Sequence, residues 1–330
     1  MPTVCDMITE ELMRAVIARG YGGSEVLELV RVPLPEPGPG QVRVRVEAAT
    51  VNPVDLATRS GALVEAGLMA PREHTGIGWD VAGVVDRIGA GVTAFAPGQR
   101  VIGLRDLLDV SLGTYCDYVA LDAAALAPAP PGVCAAAAAT LPLNGLTALQ
   151  ALDLLGLAAG DTLLVTGAAG GVGGFAVELA ARHGLRVIAQ VRASEEAFAR
   201  SLGSEWVVGR DSSDLAGDVR RVVPGGVDGA LDTAGLGVRA LAAVRTRGAY
   251  VTVVGGSAPL PLRGIRVHQQ WISSDGAALT ELAGMGLTLR VAGTLPLERA
   301  AEGHERLAAG GTRGRLVLVP SGADAWSVPL

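Results

Sequence analysis

Residues 166–174 read TGAAGGVGG and lie between an apolar run, DTLLV, and a helix-patterned run, FAVELAARHG. A glycine-rich turn between a strand and a helix leaves bare backbone N–H groups at the helix N-terminus, where they bind phosphate. The spacing Ala168-x-Gly170-x-x-Gly173 follows the dinucleotide pattern G-x-G-x-x-G, with Ala in the first place. Alone, such a match also describes an ordinary turn. Its context extends it: LRVIAQV, SEEAFARSLG, WVV, GALDTAG and GAYVTVVG continue as short β-rich runs alternating with helices. That alternation predicts an α/β unit, a parallel sheet covered on both faces.

The end of the second strand separates NAD from NADP. A carboxylate there bonds the ribose 2′-hydroxyl of NAD, whereas a cation accommodates a 2′-phosphate. The strand runs LRVIAQVRAS, so the position holds Gln190, Val191 and Arg192, with no acid before Glu195. Guanidinium geometry suits phosphate. Arg192 therefore points to NADPH, with Arg210 after the third strand as a second cation at the adenosine end. Both also fit solvated surface arginines. The Glu195-Glu196 pair opposes the assignment if it faces the phosphate.

The chain contains no lysine; all 27 basic residues are arginine. This excludes a P-loop Lys, a Schiff-base Lys and the Tyr-x-x-x-Lys pair of short-chain dehydrogenases. A net charge of −6 without a basic block argues against a nucleic-acid partner. Cys5, Cys116 and Cys134 are too few and too scattered for a disulfide framework or a zinc knuckle, which makes the cytoplasm the expected compartment. The acidic start MPTVCDMITEEL lacks the pattern of a signal peptide. The longest apolar region, ALAPAPPGVCAAAAATLPL, is broken by prolines, so no membrane span is expected.

The first third has a different period. RAVIARG, VLELVRV and QVRVRVEAATV alternate apolar and polar residues, and VAGVVDRIG, QRVIGL and TYCDYVAL continue that pattern. It reads as a compact β domain with Gly/Pro turns. In the tail, DGAALTELAGMG and LERAAEGHERLAAG read as helices and GRLVLVP as a strand.

Taken in order, VNPVDLATRSG, GWDVAGVVDRIGAGV, FAPGQRVIGL, GTYCDYV, LPLNGLTALQAL and AAGGVG resemble the medium-chain dehydrogenase/reductase superfamily, most closely its zinc-independent quinone oxidoreductase branch. The resemblance runs from Met13 to Pro320. It implies a GroES-like, β-rich catalytic domain (13–127 and 271–330), a Rossmann NADPH-binding domain (128–270) and an N-terminal extension (1–12). Zinc-dependent members carry Cys where this chain has Asn52, and Gly-His-Glu where it has Gly78-Trp79-Asp80. With those ligands and the four structural cysteines missing, no metal is expected.

The resemblance also assigns site residues. Asn52, of NPxD, lies beside the nicotinamide in that branch; the plain alternative is an Asn that caps a helix before Pro53. Asp55 reads as a helix cap. The branch often has a Tyr where this chain has Ala57, a departure that bears on both quinone activity and a tyrosine proton donor. Thr147 corresponds to the cleft Thr of the family, or to an ordinary threonine early in a helix. Ala169, Gly170, Gly171 and Val172 form the phosphate loop. Thr233 and Gly235 end the fourth strand, Val254 and Gly255 the fifth, and Arg313 precedes the final strand as a further phosphate contact.

The implied activity is metal-free hydride transfer from NADPH to an activated C=C (enone or enoyl) or a quinone, with the chain as a homodimer joined through sheet edges. RDLLDVSLG (105–113) and GSAPLPLRGIRVHQQW (256–271) are expected at the substrate rim. The competing expectation is a non-catalytic NADPH-binding protein on the same scaffold. The absence of a G-x-S-x-G elbow and of a Walker lysine sets aside a hydrolase or a kinase.

Overall fold

The computed structural model describes residues 11–320; the expected extension 1–12 and Cys5 lie almost wholly outside them. The chain forms two compact units. Among the described residues, one comprises 11–140 with Ser274–Thr280 and 291–320; the other comprises Leu141–Ser273 and Glu281–Arg290.

The first unit is β-rich. Its long central strand, Gln41–Thr50, pairs antiparallel with Asp80–Ile88 and with Tyr118–Asp122. Arg100–Leu104 and Leu126–Pro128 extend one side. On the other side Arg315–Val319 pairs antiparallel with the end of the central strand and parallel with Val291–Pro296. A second sheet joins Leu12–Arg19 to Leu27–Pro33 and His74–Gly76. Period-two alternation sends Val42, Val44 and Val46 into one core with Val16, Val81, Val101, Tyr115 and Leu318. The strands expected from RAVIARG, VLELVRV, QVRVRVEAATV, VAGVVDRIG, QRVIGL and GRLVLVP are all present.

The second unit holds a six-stranded, wholly parallel sheet. Its strands are Thr162–Thr166, Arg186–Val191, Trp206–Gly209, Val227–Asp232, Val244–Thr252 and Arg266–Gln269, in spatial order 3-2-1-4-5-6. This is the doubly wound dinucleotide-binding order, with its switch point beside the first strand. All five residues of that strand are buried, as a sheet covered on both faces requires. Leu164, Ile188, Ala230 and Tyr250 pack with Leu215 and Val219 of helix Leu215–Val222. Helices Pro142–Leu155 and Gly171–Arg182 pack on each other and on the sheet. The sixth strand, RVHQ, falls inside the segment expected at the rim and forms an edge of the sheet. Among the described residues no helix is long and apolar enough to cross a membrane.

Candidate functional site

In the second unit the phosphate loop is shaped by its glycines. The left-handed position is Gly167, at φ 58°, one residue before the start of the fingerprint spacing. Ala168 can therefore stand where the usual pattern has Gly. Gly170 is the N-cap of helix Gly171–Arg182, and its N–H donates to the Gly167 carbonyl at 2.8 Å. A Cβ on Gly173 would lie 2.3 Å from that same carbonyl oxygen, so only glycine lets the helix sit this close to the turn. Gly171 and Val172 occupy the first helical turn, where N–H groups have no acceptor within the helix. The loop is thus a ready cradle for a pyrophosphate.

Polar ties fix the neighbouring strand ends. Thr166 Oγ1 donates to Asp232 Oδ1 at 2.6 Å, and Thr233 Oγ1 donates to the Thr166 carbonyl at 2.7 Å. Buried Asp232 also accepts from Tyr250 Oη and from the Gly237 N–H. Thr233 and Gly235 thus stand at the sheet's carboxyl edge beside the loop, with Gly235 at φ 69° packed near Val254. Val254 is partly exposed, and the position a Cβ would take on Gly255 is open.

At the end of the second strand, Gln190 is buried and its amide reaches the Arg210 carbonyl at 3.5 Å. Arg192 is half exposed. Its N–H donates to Glu195 Oε2 at 3.2 Å, and its guanidinium stands 4.0 Å from Glu195 Oε1. Glu196 pairs instead with Arg200, one helical turn on. Among the described residues the Arg210 guanidinium has no hydrogen-bond or ion-pair partner, and Arg210 is exposed.

One residue at this site carries no sequence signal. Arg290 Nη2 donates to the carbonyls of Ala169, at 2.9 Å, and Gly170, at 2.7 Å, while its guanidinium lies 4.3 Å from the Phe198 ring centroid. Burial lowers its pKa, partly offset by Glu195.

In the first unit, Asn52 is the N-cap of helix Pro53–Ser60 and is fully buried. Its N–H donates to Asp55 Oδ2 at 2.7 Å, so Asp55 is the cap expected of it. Asp55 also accepts from the Gly78 N–H at 3.1 Å and from Tyr115 Oη at 3.1 Å. Burial pushes the Asp55 carboxyl up to about 7, against the pull of the donors at Asn52 and Tyr115. Tyr115, buried in the core, has its phenol pushed well above its ordinary value, first by burial and then by Asp55. Gly78 sits at φ 102°, with the Tyr115 ring where a Cβ would go.

The Asn52 amide donates to Thr50 Oγ1 at 2.9 Å and to Asp80 Oδ2 at 2.6 Å. Thr50 itself donates to Asp80 Oδ2, so both acceptors lie on one side of the amide nitrogen. Asn52 and Asp80, which the resemblance sets against zinc ligands, are thus joined here by a buried amide–carboxylate hydrogen bond. Among the described residues no group of three or more His, Cys, Asp and Glu side chains is placed to hold a metal.

Thr147, also buried, lies in the second turn of helix Pro142–Leu155. Arg313 is exposed in the turn before strand Arg315–Val319. His304, on helix Ala300–Ala309, is fully buried with neither ring nitrogen hydrogen-bonded, edge-on to Tyr115 at 5.9 Å. Burial, reinforced by nearby Arg59, lowers its pKa to about 3.

A β-rich unit and a doubly wound unit with a glycine cradle, carried on one chain, define a dinucleotide-dependent oxidoreductase architecture, and comparison with known proteins places it further. The family model for the alcohol dehydrogenase GroES-like domain matches residues 38–131, and that for zinc-binding dehydrogenases matches 171–281. A solved structure titled an NAD-dependent alcohol dehydrogenase is 33% identical, with a TM-score of 0.82 over 93% of this chain and 99% of that one. A chloroplastic quinone-oxidoreductase homolog of Spinacia oleracea is 35% identical over 206 residues, 60% of this chain. The chain spans 61% of the length of that relative. An NADPH-dependent alkenal/one oxidoreductase of Arabidopsis thaliana is 28% identical over 93% of this chain and 80% of its own length. The chain belongs to the medium-chain dehydrogenase/reductase superfamily, in its quinone oxidoreductase-like branch.

Proposed function

We propose that this protein is an NADPH-dependent, metal-independent reductase of an activated alkene or a quinone. The observation that carries the reading is the glycine cradle together with two arginines, Arg192 and Arg210, at the neighbouring strand ends, where the second strand closes on Gln190 and Val191 and not on a carboxylate. Glu195, the nearest acid, accepts from the Arg192 backbone N–H. The alkenal/one oxidoreductase relative names the same cofactor.

When bound, NADPH would supply a hydride from nicotinamide C4 to the β-carbon of an enone. Negative charge then builds on the substrate carbonyl oxygen, and fixed donors stabilise it. Asn52 is the donor we assign to that oxygen, and Thr147 is assigned, separately, to the nicotinamide cofactor. The α-carbon takes its proton from water or from an acid not yet identified. Asp80 and Thr50 hold the Asn52 amide, and Asp55 holds its backbone, so the turn is set before substrate arrives.

Ala169, Gly170, Gly171 and Val172 would hold the pyrophosphate, and Thr233, Gly235, Val254 and Gly255 would hold the ribose and nicotinamide. The open edge strand Arg266–Gln269 is the surface through which a second copy pairs. The free thiols of Cys116 and Cys134 suit a reducing cytoplasm.

Titration with NADPH and NADH, followed by loss of reduced-nicotinamide absorbance with a panel of small enones and quinones, tests the reading. NADPH preference that falls in Arg192→Ala, with turnover of an enone or a quinone, supports it. Equal use of NADH, unchanged by that substitution, overturns the cofactor assignment. Tight binding with no turnover of any panel member favours a binding protein on the same scaffold.

A further inference from the structure

Arg290 has no role in the sequence pattern, yet its guanidinium is hydrogen-bonded to the phosphate loop. One guanidinium nitrogen bridges two successive loop carbonyls, Ala169 and Gly170. The plane is backed by the Phe198 ring, which fixes the direction from which it donates. Gly174, a glycine beyond the fingerprint, leaves the space: a Cβ there would lie 3.1 Å from Arg290 Nη2.

A trans peptide is planar, so its C=O and the following N–H point in opposite directions. Holding the Gly170 carbonyl toward Arg290 therefore turns the Gly171 N–H away from it. Gly171 is the first helical residue, and its N–H is one of those with no acceptor in the helix. The Gly170 carbonyl also accepts the Gly174 N–H at 3.0 Å, the first bond of the helix, and Arg290 adds a charged donor to that single backbone restraint. A rotation of this peptide out of both bonds would present a carbonyl where a phosphate needs a donor.

We propose that Arg290 is a positioning residue of the cofactor site: it reinforces the hold on the Ala169 and Gly170 carbonyls, so that the Gly171 N–H faces the pyrophosphate before it binds. This rests on the dinucleotide reading given above. It adds a feature that the reading does not require, a latch supplied from the opposite side of the loop. Both dinucleotides carry the pyrophosphate, so the latch serves NADPH and NADH alike. Arg192 and Arg210, by contrast, act on the 2′-phosphate alone.

The test is to measure dissociation constants of NADPH and NADH by fluorescence titration for the wild type, Arg290→Met and Arg290→Lys, with thermal unfolding alongside. Met keeps length and the contact with Phe198 but cannot donate; Lys can still donate to both carbonyls. Arg290→Met is expected to weaken both nucleotides by the same factor of about ten, the scale of one charge-assisted contact. Arg290→Lys should recover most of that loss. Unchanged affinities in Arg290→Met overturn the latch while leaving the dinucleotide reading intact. Loss confined to NADPH overturns it too, by making Arg290 a 2′-phosphate ligand. A wild type that binds neither nucleotide overturns both ideas together. If Arg290→Met fails to fold, Gly174→Val, which pushes the guanidinium off its carbonyls, must show the same equal weakening.

Discussion

The glycine loop and the Asn52 turn reach order by opposite routes. The loop is made of backbone: its shape depends on side chains being absent at Gly167 and Gly173, and its helical N–H groups have no partner within the helix. The turn is made of side chains: Thr50, Asn52, Asp55, Asp80 and Tyr115 are all buried and hydrogen-bonded to one another. A loop left unsatisfied is completed by its ligand. A turn satisfied internally is rigid without one, because each buried polar group that loses its partner destabilises the fold. Damage to the turn should therefore register as stability, and damage to the loop as affinity.

The largest effect is expected in the turn. Asp55→Ala strips the acceptor from three buried donors and should lower stability by about 3–5 kcal/mol in urea unfolding. A loss below about 1 kcal/mol would erase the contrast. In the loop, Gly173→Val drives a side chain into the Gly167 carbonyl. NADPH affinity should fall about a hundredfold or more, roughly 2.7 kcal/mol; retained affinity would mean that the close helix approach does not form the cradle.

A third measurement probes the surroundings of the turn. His304 has its pKa lowered on folding, so the unfolded chain binds more protons between the two values and stability falls as pH drops below about 6.5. By pH 5 this loss amounts to about 2 kcal/mol relative to pH 8. His304→Phe, which keeps an aromatic ring beside Tyr115, should remove that share of acid sensitivity; an unchanged acid limb would show that His304 is solvated in solution. The smallest effect is on selectivity. Arg192→Ala should weaken NADPH about tenfold and leave NADH unchanged, on the scale of one charge-assisted contact. An equal loss for both would make Arg192 part of the cradle rather than a reader of the 2′-phosphate.

The two regions also differed in how far the sequence revealed them. Backbone demands show up as glycine, so TGAAGGVGG announced the loop, although the left-handed turn fell on Gly167 rather than on the first fingerprint position. The parallel sheet was readable from its apolar runs, except for its sixth strand. RVHQ is short and mostly polar, because an edge strand needs little burial. The turn was readable only through the NPxD resemblance. That Thr50 and Asn52 meet Asp80 depends on the register of strands Gln41–Thr50 and Asp80–Ile88, which places Ala48 opposite Ala82. No local spacing encodes that register. Arg290 was still less visible: one arginine among many, 120 residues beyond the loop it touches.

The pairing of Val317 with Thr50, and the bond from the Val51 N–H to the Leu316 carbonyl, set an order of events during synthesis. The segment ending at Asn52 leaves the ribosome early, but the strand that closes its flank is translated on the order of tens of seconds later. In that interval all six strands of the parallel sheet are already made, and every contact between them is available. The nucleotide-binding unit can be in place while the Asn52 turn still waits for its neighbour. Nascent chains should accordingly gain the capacity to hold a dinucleotide before they gain the capacity to turn over a substrate.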